Sequence, residues 1–253
     1  MSKRNTQLRR HQISNLVNEK GEVSVEELSL QFGTSEVTIR KDLASLEKNG
    51  QLLRRYGGAI ALPKEVVSDE MSDSVSVRKN ELAQAAAKLI REHNRIVIDS
   101  GSTTGALIKQ LDGMHGLVVM TNSLNVANAL NELESEPTLL MTGGTWDAHS
   151  ESFQGQVAES VLRSYDFDQL FIGADGVDLN RGTTTFNELV GLSKVMAEVS
   201  REVIVMVESE KIGRKIPNLE LAWDVIDVLI TNKDLPSESK QIIESHGIKV
   251  ICV

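Results

Sequence analysis

The sequence predicts a two-part α/β chain, with a small helical head followed by a larger open parallel sheet. Three observations predict it. Between Ser24 and Leu46, two short amphipathic helices are separated by a glycine turn. From Ile96 to the C-terminus, short apolar runs alternate with helical segments. The charge is divided as well: residues 1–57 carry ten Lys and Arg against seven Asp and Glu (net +3), the remainder 17 against 29 (net −12), and the whole chain −9. A length of 253 residues leaves room for two domains with cores of their own.

In the head, Leu8, Ile13, Leu16 and Val17 give a first amphipathic helix, closed by Gly21. Ser24-Val-Glu-Glu27 reads as a capping box, whose Ser and Glu reciprocally satisfy backbone donors at a helix start. Leu28 and Phe32 follow one turn apart, and Gly33 supplies the tight turn because it tolerates positive φ. Ser35 caps the next helix, in which Ile39, Leu43 and Leu46 recur at helical spacing as a buried stripe. That spacing turns Thr38, Arg40 and Lys41 away from the stripe. A helix end with free N–H groups, hydroxyls and two cations suits phosphates and base edges. After Asn49-Gly50, the segment Gln51–Gly58 reads as a β-hairpin wing that brings Arg54 and Arg55 to the DNA backbone or minor groove.

Any one of these charges would ordinarily be a solvated surface residue. The capping box, turn, charged helix and wing together make a winged helix-turn-helix head over residues 1–61. Its DNA-binding candidates are Ser35, Thr38, Arg40, Lys41, Arg54 and Arg55, and its partner is double-stranded DNA. An acidic chain with a basic head presents one face to a polyanion. Heads of this size bind DNA weakly alone, so a homo-oligomer reading half-sites about one helical turn or a multiple apart is expected.

The boundary falls after Ala61. Residues 62–76, mixing a proline, acids and serines, form a linker to a second domain over 77–253. A helix is expected over about Val77–Ile90. Candidate strands are Ile96–Asp99, Leu117–Met120, Thr138–Met141, Gln169–Ile172, Val203–Val207, Val228–Ile230 and Val250–Val253. Helices are expected over Leu124–Leu133, Gln156–Ser164, Leu189–Ser200 and Glu238–Ser245. Near-continuous apolar strands between helices indicate a parallel sheet covered on both faces, with ligands at the carboxyl ends of its strands. The single Cys252 excludes an intramolecular disulfide framework and fits a reducing cytoplasm. No apolar run approaches the roughly 20 residues of a membrane span, and the polar N-terminus is unlike a signal peptide.

Polar residues gather at the strand ends. Asp99, Gly101, Ser102, Thr103 and Thr104 follow the first strand, where freed N–H groups, hydroxyls and a helix dipole make a phosphate cradle. Many strand-to-helix turns are rich in Gly, Ser and Thr for backbone reasons alone. Here Thr121-Asn122-Ser123 and Thr142-Gly143-Gly144 repeat the chemistry at the next two strand ends, which favours a common pocket. Asp175 and Glu188 offer acceptors for sugar hydroxyls, and Lys194 and Lys211 offer charge for a phosphate. A lysine on a helix face is, however, more often solvated. Trp146 is placed either to stack on a sugar ring or to pack over the rim. His149 has no partner at metal-ligand spacing, so neither a metal nor a cofactor is expected.

The spacing Arg9-x3-Ile13-x3-Val17, then seventeen residues to Ser35-x2-Thr38-Ile39-Arg40-Lys41-Asp42-Leu43, resembles the signature of DeoR-family bacterial regulators, as does Tyr56-Gly57-Gly58-Ala59. The resemblance covers nearly the whole chain. It implies that Ser35–Leu43 is the recognition helix, with Thr38, Arg40 and Lys41 nearest the DNA. It also implies an effector domain similar in fold to ribose-5-phosphate isomerase, glucosamine-6-phosphate deaminase and CoA transferases. Asp99–Thr104 would then hold a phosphate, and Asp175 and Glu188 would sit where the enzymes keep acid–base groups. Two stretches look closest to regulators of amino-sugar or sugar-alcohol operons, Asp99–Thr104 and Met120–Ala129. The chain departs from the deaminases, where a histidine follows the Asp-Gly pair, in having Val177 and Asp178 there. It also has Glu208-Ser-Glu-Lys211-Ile where the family more often shows Asp-Ser-Ser-Lys-Phe.

A DNA head joined to a phosphate-and-hydroxyl pocket is expected to be a repressor of a carbohydrate-utilisation operon, released by a phosphorylated sugar. The alternative is a sugar-phosphate isomerase or deaminase carrying a DNA-binding head, motivated by Asp175 and Glu188. An activator would use the same domains.

Overall fold

The computed structural model describes residues 3–48, 52–55, 57–61, 77–148, 150–186, 190–214, 216 and 218–253. The chain divides into two compact units, Met1–Asp73 and Ser74–Val253. The expected linker over 62–76 lies outside the described residues, as do Asn49-Gly50-Gln51, Tyr56 and His149.

The first unit runs α1 (Lys3–Lys20), β1 (Glu22–Ser24), α2 (Val25–Gln31), α3 (Glu36–Lys48), β2 (Leu53–Arg55) and β3 (Gly58–Ile60). The strands pair antiparallel in the order β1-β3-β2, so the expected wing is the β2–β3 hairpin with β1 added at its edge. Ser24 caps α2 by accepting from the Glu27 N–H at 3.0 Å. The reciprocal half of the expected capping box is absent from this pair, because Glu27 takes the Lys20 ammonium instead. A charged donor is a stronger partner for a carboxylate than a neutral N–H. Ile13 and Val17 from α1, Leu28 from α2, and Ile39, Leu43 and Leu46 from α3 close one apolar core.

Beside that core lies an acid. Asp42 of α3, 2 % exposed, accepts from Arg9 Nε at 2.7 Å and from Arg10 Nε at 2.8 Å. Arg10 also donates to Ser45 Oγ at 2.6 Å. Both oxygens of one carboxylate thus clamp α1 to α3.

The second unit begins with α4 (Val77–Ala87) and β4 (Arg95–Ile98), then α5 (Ser102–Gly105), β5 (Val118–Thr121), α6 (Leu124–Asn131) and β6 (Thr138–Met141). A hairpin follows, β7 (Thr145–Asp147) with β8 (Ser152–Gln154), and then α7 (Gln156–Leu162) and β9 (Phe167–Ile172). Next come β10 (Gly176–Asp178), β11 (Gly182–Thr185), α8 (Gly191–Glu198), β12 (Ser200–Met206) and β13 (Asn218–Ala222). β14 (Val228–Thr231), α9 (Ser237–Ser245) and β15 (Lys249–Cys252) complete it.

Seven of these strands form one parallel sheet in the order β15-β14-β12-β9-β4-β5-β6. All seven were legible as strands. Both faces are covered, because successive side chains alternate. Ile96 and Ile98 pack with α4, α6 and Phe171 on one face, and Val97 packs with α7, α8 and Leu170 on the other. The chain builds outward from β4 through β5 to β6, then returns to place β9 on the other side of β4. That reversal leaves the ends of β4 and β9 adjacent, the crevice in which open α/β sheets hold ligands. The sequence reading does not anticipate the β7–β8 hairpin or the antiparallel sheet β10-β11-β13. Strands of three to five residues, rich in Gly and Thr, carry too little apolar periodicity to stand out.

Removing the Asp42 clamp leaves two part-buried guanidiniums without their carboxylate. Asp42→Ala is expected to destabilise the head by about 3 kcal/mol, accelerating amide hydrogen exchange in α1 and α3 roughly a hundredfold. Unchanged exchange rates would show that the clamp contributes no net stability.

Candidate functional site

The first candidate face is on α3. Ser35 Oγ caps the helix, accepting from the Thr38 N–H at 3.3 Å and lying 3.0 Å from Thr38 Oγ1. Arg40 is exposed and donates to Glu36 at 2.6 Å one turn earlier, while Lys41 is exposed on the adjoining face. On the wing, Arg54 lies 3.6 Å from Glu47 and Arg55 2.9 Å from Glu22, again on the surface. The six expected DNA-binding residues therefore all stay near solvent, and three of the four cations are lightly held by neighbouring acids. Exposed pairs of this kind contribute about 0–1 kcal/mol, so exchanging the acid for a phosphate costs little.

The second candidate site lies at the β4–β9 reversal. Asp99 follows β4, and Asn122 follows β5 and donates to Asp99 Oδ1 at 2.9 Å while accepting from the Ser100 N–H at 3.1 Å. Gly101 adopts φ +132°, which lets Thr104 Oγ1 share its proton between the carbonyls of Asp99 (2.9 Å) and Gly101 (3.0 Å). The loop is thus pinned from within. α5, at four residues, is too short for the expected helix dipole to contribute much. Its place is taken by a side chain the sequence reading passed over. Lys79 of α4, only 8 % exposed, directs Nζ to Ser102 Oγ at 2.6 Å. A signal for it was present: Lys79, Leu82, Ala83 and Ala86 share one helical stripe, so a cation interrupts the buried face of its own helix.

Asp175 follows β9 and accepts from Thr185 Oγ1 at 2.7 Å and the Phe186 N–H at 3.2 Å. A third carboxyl, also missed, comes from Glu220 on β13, held by Ser193 Oγ at 2.8 Å and Thr183 Oγ1 at 3.4 Å. Alternation of Glu220 with Leu219 and Leu221 was the available clue. Burial, reinforced by the charges of Asp99 and Asp175, pushes Glu220 up to about 8. The Asp99 residue keeps some open surface, but its carboxyl is deep, and that burial pushes it up to about 6 against the opposing hydrogen bonds of Ser100 and Asn122.

The remaining expected residues divide. Thr121 Oγ1 accepts from the Ser123 N–H at 3.1 Å, and Ser123 caps α6, so both hydroxyls serve the turn. Gly144 serves the hairpin, since a Cβ there would come within 2.6 Å of the Gln154 carbonyl oxygen, and Gly143 before it has open space and φ +60°. Thr103 is buried. Lys194 is exposed beside Ser193, and Lys211 is half-buried in a 3₁₀ turn that follows β12. Glu188 lies outside the described residues. Trp146 is 43 % exposed on β7, edge-to-face with Phe153 at 5.4 Å. Trp223 is buried, stacked on His246 at 5.6 Å, and donates to the Leu179 carbonyl at 3.1 Å.

A groove of about 400 Å³ opens at the other end of the sheet, lined by Arg95, Arg163, Tyr165, Phe167 and Arg201. Its guanidiniums are engaged, Arg95 by the Asp166 carbonyl and two aromatic rings, Arg163 by Glu198 and Arg201 by Asp168. The reversal point instead brings together a buried cation, hydroxyls and carboxyls. Among the described residues, no group of three or more His, Cys, Asp or Glu could hold a metal ion. No helix among them is long and apolar enough to cross a membrane.

Residues 9–65 match the DeoR-like helix-turn-helix domain, and residues 75–233 the DeoR C-terminal sensor domain. A protein of Escherichia coli O157:H7 named for repression of the aga operon is 39 % identical, across 98 % of this chain and 94 % of that one. The glycerol-3-phosphate regulon repressor of Escherichia coli K12 is 29 % identical, across 96 % and 98 %. Ribose-5-phosphate isomerase A of Methanocaldococcus jannaschii superposes over 53 % of each chain, with a TM-score of 0.39 at 20 % identity.

The native state holds the Glu220 proton up to about pH 8, whereas a carboxyl in the unfolded chain loses it near 4.5. The folded state then binds more protons across that interval, and stability falls as pH rises through it. Glu220→Gln stays neutral. Its melting temperature relative to the parent chain is expected to rise by roughly 3 °C or more between pH 5 and pH 8. A difference independent of pH would mean that Glu220 is ionised in the native protein.

Proposed function

The chain belongs to the DeoR family of DNA-binding transcriptional regulators, and from that premise we propose that a phosphorylated sugar, bound at the β4–β9 reversal, releases it from its operator. It is a repressor of carbohydrate genes rather than an enzyme, as its family and relatives are. The observation that carries the effector reading is the buried Lys79 ammonium at 2.6 Å from Ser102 Oγ. A cation and a hydroxyl paired at the mouth of a pinned Ser-Gly-Ser-Thr loop suit a dianionic phosphate. Asp99, Asp175 and Asn122 then face the hydroxyl-bearing end of the ligand, and Glu220, neutral at pH 7, donates as well as accepts.

Release requires the sugar phosphate to bind the DNA-free form better than the DNA-bound form, since equal affinity for both would shift nothing. Two heads on one operator, supplied by a homo-oligomer, would give the half-site spacing that the helix-turn-helix imposes.

The reading is tested by fluorescence anisotropy on operator DNA with a panel of sugar phosphates and their unphosphorylated parents. One phosphorylated sugar is expected to release the protein, its parent to have no effect, and Lys79→Met to bind operator normally. That variant is expected to need roughly ten- to a hundredfold more effector, the cost of one charge-assisted hydrogen bond. Equal release by the unphosphorylated sugar, or normal induction of Lys79→Met, would remove the phosphate from the reading.

A further inference from the structure

The core-facing side of α3 is formed by Ile39, Asp42, Leu43 and Leu46. At about 100° per residue, Val37 in the first turn lies diametrically opposite them. It is 60 % exposed. Lys41, one turn on, shares that outward side, and Arg40 borders it. The outermost point of the helix is therefore an aliphatic side chain.

Isolated apolar residues are commonplace on protein surfaces, so exposure alone assigns nothing. Position does. A recognition helix meets base edges with its N-terminal residues. The groups around Val37, two cations and the Ser35–Thr38 hydroxyl pair, match phosphates and base-edge acceptors. Against that polar surround, the major groove offers one apolar group, the C5-methyl of thymine. Valine is suited to it, because a β-branched side chain in a helix has essentially one χ1 rotamer and loses little freedom on contact.

We propose that Val37 reads a thymine methyl, selecting T at one position of each operator half-site by apolar contact. This rests on the DNA-binding reading of the head, and its specificity is of a kind that none of the charged residues of α3 supplies. Arg40 and Lys41 donate to phosphates or guanine, and neither distinguishes thymine from uracil.

The test uses the full chain and an operator it selects from a random duplex library. Each thymine is replaced singly by deoxyuridine, which deletes the methyl and leaves the hydrogen-bonding edges unchanged. In each half-site, one replacement is expected to weaken binding roughly three- to tenfold, the value of one methyl contact. Val37→Ala is expected to bind the unmodified operator more weakly by a similar factor and to be indifferent to that replacement. Val37→Thr, which keeps one methyl at Cβ, should fall between. Both variants should melt with the parent chain, since the site lies outside the core. The proposal is overturned if deoxyuridine costs nothing at any position, or costs Val37→Ala as much as the parent everywhere. Failure to select any sequence would instead sink the DNA-binding reading itself.

Discussion

Three carboxyl groups forced into one another's field at the reversal of the strand order set the terms for the second unit. The topology makes the ends of β4 and β9 neighbours, so Asp99 and Asp175 meet there, and β13 adds Glu220. Like charges at short range in a poorly solvated site cannot all ionise. The fold answers with a different device for each. Asp175 accepts a hydroxyl and an N–H on one oxygen, Asp99 is tied to the next strand end through Asn122, and burial favours the protonated form of Glu220. The two apolar layers on either side of the sheet supply the stability that offsets this arrangement.

The head obeys a complementary rule. Its one deeply buried acid among the described residues, Asp42, is paired with both Arg9 and Arg10, which fixes α1 against α3. Nearer the surface, Glu22, Glu36 and Glu47 hold Arg55, Arg40 and Arg54 in weak pairs. Charge is spent on architecture inside and kept exchangeable outside. A phosphate backbone can then claim the cations without disturbing the core, the division of labour a DNA-binding head needs.

Much of this was legible in the sequence, for reasons that can be named. The seven sheet strands showed because burial on both faces makes them almost uniformly apolar, and α2 and α3 showed through Ser24, Gly33 and the Ile39-Leu43-Leu46 stripe. Asp99 and Asp175 were visible as acids placed directly after strands. Lys79 and Glu220 were not: Lys79 interrupts the apolar stripe of its helix, and Glu220, alternating with Leu219 and Leu221, has the pattern of a solvent-facing residue on a half-buried strand. Thr121, Ser123 and Gly144 carry a different ambiguity: polar turn chemistry resembles ligand chemistry, and here the two hydroxyls and the glycine also close the chain on itself.

The placement of the aromatic residues gives the molecule an optical asymmetry. Its only two tryptophans, Trp146 and Trp223, both belong to the second unit, one open to solvent on a hairpin and the other stacked beneath an imidazole. The head has none. Tryptophan emission therefore originates wholly in the half that carries the parallel sheet, and the half that carries α3 is dark. A change in emission on adding DNA would be a message that has crossed from one half to the other.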